Sequence, residues 1–172
     1  MRALLVGMYL AAIVAANLVV TEFGPSASIY SAFAFIGLDL IARDRLHDLW
    51  ATNRLPKMAG LIFAGSALSY LLNADAARVA VASGCAFAAA TSVDYLLYHV
   101  LKARGWRWIE RANGSNIPAA AVDSVVFPLM AFGTPLLWPI VFGQFCAKVG
   151  GGVVWSLVLQ GRKERELVVT GG

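Results

Sequence analysis
Charge is what this chain most lacks. Only 14% of its 172 residues are Asp, Glu, Lys or Arg, against about a quarter in an ordinary soluble domain. Histidine and cysteine are scarce as well, with two of each. His47 and His99 stand far apart, and Cys85 and Cys146 each fall inside an apolar run. No spacing gathers metal ligands, so no metal site is expected. No glycine-rich loop is placed to cradle phosphates, and no serine lies in a nucleophile motif. The chain is therefore not expected to be an enzyme, and no cofactor or catalytic residue is assigned. Strict alternation of apolar and polar residues is missing too, which argues against a transmembrane barrel. There is no internal repeat and no low-complexity tract.

What is plentiful is apolar surface: 59% of residues are hydrophobic and the mean hydropathy is +0.70. The apolar runs are continuous, as in "AGLIFAGSALSYLL", and approach the ~20 residues needed to cross a bilayer as a helix. The expected fold class is all-α: a polytopic integral membrane protein forming a single transmembrane domain over residues 1–172. Six transmembrane helices are expected, at about 3–23, 26–43, 57–73, 76–101, 116–135 and 137–160. The first is expected to stay in place, because its apolar run continues past any cleavage-like stretch and five more spans follow.

The distribution of basic residues tests that count. Arg2, Arg43, Arg45, Arg54, Lys57, Lys102, Arg104, Arg107, Arg111, Arg162, Lys163 and Arg165 all fall on one side of the arrangement. Only Arg78 falls on the other, and Lys148 lies within a span. Positive residues favour the cytoplasmic side, so both termini are predicted to be cytoplasmic. This one-sided placement also accounts for the basic excess without invoking nucleic acid. Two connections look interfacial: "ARDRLHDLWATNRLPK", with Leu46, Leu49 and Trp50 on one face, and "KARGWRWIERANG", with Trp106 and Trp108 at headgroup depth.

Polar residues inside the spans are the candidates for function, because burying them in lipid is unfavourable. They are Asn17, Asp39, Asp94, Asn116, Asp123, Gln144 and Lys148. Each has a structural alternative. Asp39 lies four residues before Arg43, at ion-pair spacing. Thr91 and Tyr98 share a face with Asp94 and could form a packing cluster with it. Ser115 or Asn116 ahead of Pro118 reads equally as a helix start. Asp123 is seven residues beyond Asn116, on the same face and about 10 Å deeper, with Phe127 one turn further on. Gln144, Lys148, Gly152 and Trp155 make a stripe along the last span. Gly150–Gly152 either permits close helix packing or marks an unwound segment. Three interior carboxylates face one interior lysine, so pairing leaves a carboxylate free for a ligand or a proton.

In order, "AAN" ending at Asn17, "GLDLIAR", "TSVDYLLYH", "GSNIPAAAVDSVVFPLMAFG" and "GQFCAK" resemble the motifs of the vitamin uptake transporter (VUT) family, the queuosine precursor transporters. The resemblance runs from the first span to the last. It implies a multi-pass inner-membrane importer of a 7-deazaguanine such as 7-cyano-7-deazaguanine. The implied partners are that heterocycle and the bilayer, with no nucleic acid and with homo-oligomerisation left open. Asn17, Asp39, Asp94, Asn116, Asp123, Phe127, Gln144 and Lys148 supply the acceptor, amide, aromatic and cationic groups that such a substrate needs. The alternative is the substrate-binding subunit of an energy-coupling-factor vitamin transporter, which would work with separate coupling and ATPase proteins.

Overall fold
The computed structural model describes residues 2–35, 54–106, 108–151 and 154. Asp39, Arg43, the first interfacial segment from residue 44 to 53, Gly152, Trp155 and the basic C-terminal group lie outside the described residues. Among the described residues all regular structure is helical. Helix α1 spans Arg2–Phe23, and α2 covers residues 27–35. Helix α3 spans Arg54–Leu72, and a short 3₁₀ turn at Ala74–Ala76 leads into α4, Ala77–Ala103. Helix α5 spans Trp108–Phe132 and α6 covers residues 138–151.

Three described segments are long and apolar enough to cross a bilayer: Val6–Phe23, Ala74–Ala103 and Gly114–Phe132. Pro56–Leu72 is apolar over a shorter length. Several polar side chains are buried while large apolar ones face outward. Phe63 is 77% exposed while Gln144 is 1% exposed. Asn17, Ser69, Ser115 and Ser124 are also buried, and Leu71, Trp138 and Phe142 face outward. In water such a surface would be heavily unfavourable. In lipid it is the expected arrangement, because acyl chains solvate the apolar exterior and polar groups find partners inside.

Close backbone approach holds the helices together. Tyr9 on α1 packs with Met58 and Ile62 on α3, flanked by Ile13 and by Phe87 of α4. A Cβ added at Gly65 would lie 2.7 Å from Ile13 Cγ2, so only glycine lets α1 and α3 meet there. Likewise a Cβ at Gly143 would meet Ile29 Cδ1 at 2.5 Å, which brings α6 against α2.

The α4–α5 hairpin is closed at both ends by helix-terminal chemistry. At one end Gly105 takes φ +77°. Its N–H bonds to the Lys102 carbonyl at 3.1 Å and the Trp106 N–H bonds to Leu101 at 3.2 Å. This is a Schellman cap, which satisfies carbonyls that the helix end would otherwise orphan. At the other end Gly133 (φ +83°) terminates α5, and Arg78 Nε donates to the Met130 carbonyl at 3.1 Å. Arg78 is the lone basic residue that broke the one-sided pattern. Its place is explained by a helix C-terminus, whose free carbonyls and negative dipole end attract a cation.

Helix α5 differs from expectation at its start. It begins at Trp108, two turns ahead of Ser115 and Asn116, so neither residue caps it and the segment read as an interfacial loop is largely helical. Pro118 and Pro128 both lie inside the helix. In the glycine run, Gly150 and Gly151 are helical, and a Cβ at Gly150 would meet nothing within 4 Å.

Candidate functional site
Three groups of polar residues stand out among the described helices. The first spans three helices. Lys148 Nζ on α6 lies 2.8 Å from Asp123 Oδ2 on α5, with side-chain exposures of 13% and 29% respectively. The same ammonium donates to Gln144 Oε1, one turn earlier on α6, at 3.1 Å. An ammonium only donates, so the amide oxygen must face it and the amide nitrogen must point away. That nitrogen donates to Ser28 Oγ on α2 at 2.7 Å. The Ser28 hydroxyl then donates to the Pro25 carbonyl. Donation runs outward from Lys148, to Asp123 on one side and through Gln144 and Ser28 to Pro25 on the other, with each donor matched to an acceptor.

The second group ties α1 to α3. Asn17 Nδ2 donates to Ser69 Oγ at 3.0 Å, and that hydroxyl donates to the Gly65 carbonyl at 2.8 Å. Asn17 and Ser69 are both buried. They share no hydrogen bond with the first group.

The third is a groove of about 740 Å³ between α3 and α4. Asp94 lies in its wall with Thr91, Tyr95 and Tyr98, all four on α4. Asp94 is half-buried.

The expected site residues are therefore partly gathered and partly dispersed. Asp123, Gln144 and Lys148 meet. Asn17 belongs to a separate helix clamp, and Asp94 faces the groove. Asn116 is exposed on α5 despite its seven-residue spacing from Asp123. Phe127 is half-buried and packs edge-on against Phe132, with ring centroids 5.9 Å apart. Asp39 lies outside the described residues. His99 is exposed, its Nδ1–H donating to the Tyr95 carbonyl at 2.9 Å. No cluster of three or more potential metal ligands occurs among the described residues.

Sequence reasoning overlooked Ser28 and Ser69, the uncharged partners that complete the two networks. Serine in an apolar helix ordinarily bonds its own preceding turn, as Ser69 also does, so nothing in the residue type marks it as a bridging group. A further hydroxyl, Ser124 Oγ, is buried beside Asp123 with no hydrogen-bond partner among the described residues.

The arrangement is one of polar groups bridging helices in an otherwise apolar bundle, and such groups inside membrane spans are candidates for function. No curated protein and no solved structure matches the chain. A family model described as "putative vitamin uptake transporter" matches residues 1–159. With that match covering nearly its whole length, the chain belongs to the vitamin uptake transporter family and is a membrane protein built for uptake.

Proposed function
We propose that this protein imports a 7-deazaguanine precursor of queuosine, such as 7-cyano-7-deazaguanine, across the cytoplasmic membrane. The observation that carries the reading is the Asp123–Lys148 pair at 2.8 Å with its extension through Gln144 to Ser28. A structural bundle gains little from such a pair, because desolvation offsets most of its attraction. A transporter gains a joint that can be made and broken between α5, α6 and α2 as the site turns from one side to the other. Asn17, Asp39, Asp94, Asn116 and Phe127 are the further candidates for substrate contact in this reading. Both termini lie in the cytoplasm in this reading, and no ATPase is needed for passage.

The test is uptake of labelled 7-cyano-7-deazaguanine by the purified chain in liposomes. Wild type accumulates it, and Asp123→Asn loses at least tenfold in rate while retaining its helical signal. Wild-type uptake by that variant would remove Asp123 from the mechanism. Uptake only on adding a coupling protein and ATPases would favour the energy-coupling-factor alternative. That alternative takes the small-residue run "YLAAIVAAN" of α1 as its docking face for a coupling protein. Its Tyr9, Ala12 and Asn17 are buried within the bundle, which leaves that face little to offer a partner.

A further inference from the structure
The groove between α3 and α4 takes no part in the Asp123 network, yet it holds a carboxylate that Lys148 does not reach. We propose that this groove is where the heterocycle binds, with Asp94 accepting its paired ring N–H and exocyclic amine. The ligand's identity rests on the deazaguanine reading above; the place and chemistry of the site do not.

Four observations converge. Asp94 has no hydrogen-bond or ion-pair partner among the described residues, whereas Asp123 is taken by Lys148. A neutral heterocycle would have to displace an ammonium from Asp123, but at Asp94 it meets a vacant acceptor. A carboxylate accepts two parallel N–H donors in the fork geometry it uses with arginine. Second, Asp94 is the one charged side chain among the described residues that line the groove. A carboxylate in that wall favours N–H donors over anions. This also disfavours a phospholipid headgroup, whose phosphate would enter uncompensated. Third, Phe87 and Tyr98, both half-buried in the groove wall, supply ring faces and edges for a planar ligand. Fourth, the volume of about 740 Å³ falls in the ordinary range for small-molecule sites. Asp94 is nine residues from the Ala103 end of α4, which puts it about 13 Å into the helix.

The experiment is equilibrium binding to the full chain in nanodiscs. Three probes are used: 7-cyano-7-deazaguanine, 2-aminobenzimidazole (which keeps the N–H pair on a bicycle without the carbonyl and nitrile) and 7-deazahypoxanthine (which lacks the exocyclic amine). Asp94→Asn removes the ionised acceptor. Ala88→Trp fills the groove from an exposed lining position. Phe142→Ala, on the outer face of α6, is the control. Circular dichroism checks that each variant folds. The expected result is at least a tenfold loss of affinity for the first two probes in both groove variants, none in the control, and at least tenfold weaker wild-type binding of 7-deazahypoxanthine. Unchanged affinity in Asp94→Asn or in Ala88→Trp overturns the proposal, as does a folded wild type that binds none of the probes. Asp94-dependent binding of 2-aminobenzimidazole without 7-cyano-7-deazaguanine sinks the queuosine reading and leaves the groove standing. Asp94-dependent retention of phosphatidylethanolamine in native mass spectrometry, with both probes displaced by that lipid, reassigns the groove to lipid and overturns the proposal.

Discussion
Lys148 and Asp123 neutralise each other at 2.8 Å across the α5–α6 boundary. Neither charge would be tolerated alone at that depth, because each loses hydration that only the other restores. The pair is therefore a single unit, and its parts should not be separable without consequence.

Removing one member makes the point measurable. Asp123→Asn or Lys148→Met leaves a lone charge or a lone carboxylate facing lipid and protein. Each single change is expected to destabilise toward the lower end of the roughly 3–5 kcal/mol found for breaking buried pairs, since Asp123 is partly exposed. The double variant Asp123→Asn/Lys148→Met should recover most of that stability in denaturant titrations in detergent, while uptake stays lost. Recovery of uptake in the double variant would make the pair structural only.

The α1–α3 clamp predicts an asymmetry. Ser69→Ala strands the buried Asn17 amide donor, at about 1–3 kcal/mol. A double-mutant cycle over Asn17 and Ser69 should give a coupling of about 0.6–1.7 kcal/mol, the range measured for hydrogen bonds between membrane helices. A coupling of zero would mean that the 3.0 Å contact contributes nothing to packing.

At Gly65 the constraint is purely steric. An added methyl would stand 2.7 Å from Ile13 Cγ2, so Gly65→Ala should destabilise by about 1–3 kcal/mol through overpacking. Adding Ile13→Ala should return part of that loss. If the second change only adds to the first, the helices do not approach at this point.

Arg78→Ala withdraws the cation from the α5 carboxyl end. Because Arg78 is exposed, the expected loss is about 0.3–1 kcal/mol, with Arg78→Lys intermediate. An effect of several kcal/mol would point to a role beyond capping.

Sidedness is the fifth test. A reporter that is active only outside the cytoplasm should work when fused after the turn at Ala74–Ala76 and fail when fused at Gly105 or at the C-terminus. The opposite pattern would invert the topology drawn from the basic residues.

Hydropathy made the helical class legible because lipid demands it: a chain with so little charge and such long apolar runs has no other way to satisfy its backbone. The start of α5 was not legible for the same reason. Arg107, Glu110 and Arg111 read as solvent-facing, and hydropathy reports the solvent rather than the backbone, so a helix that runs on from Trp108 looks like a loop. Asp123, Gln144 and Lys148 were individually conspicuous, being polar residues in apolar surroundings. Their meeting was not, since Asp123 and Lys148 are 25 positions apart and only the turn of chain at 133–137 decides how α6 faces α5. Arg78 was visible as an exception to the charge pattern, but its partner, a backbone carbonyl, has no sequence signature.

Pro118 and Pro128 bracket Asp123 within α5. Proline brings no amide hydrogen, so each leaves the carbonyl four residues earlier without its usual partner, at Gly114 and at Ser124. The segment carrying the carboxylate is thus joined to the rest of its helix through two softened articulations. A bend at either place, which would carry Asp123 toward or away from Lys148, therefore strains one rung fewer than in an unbroken helix.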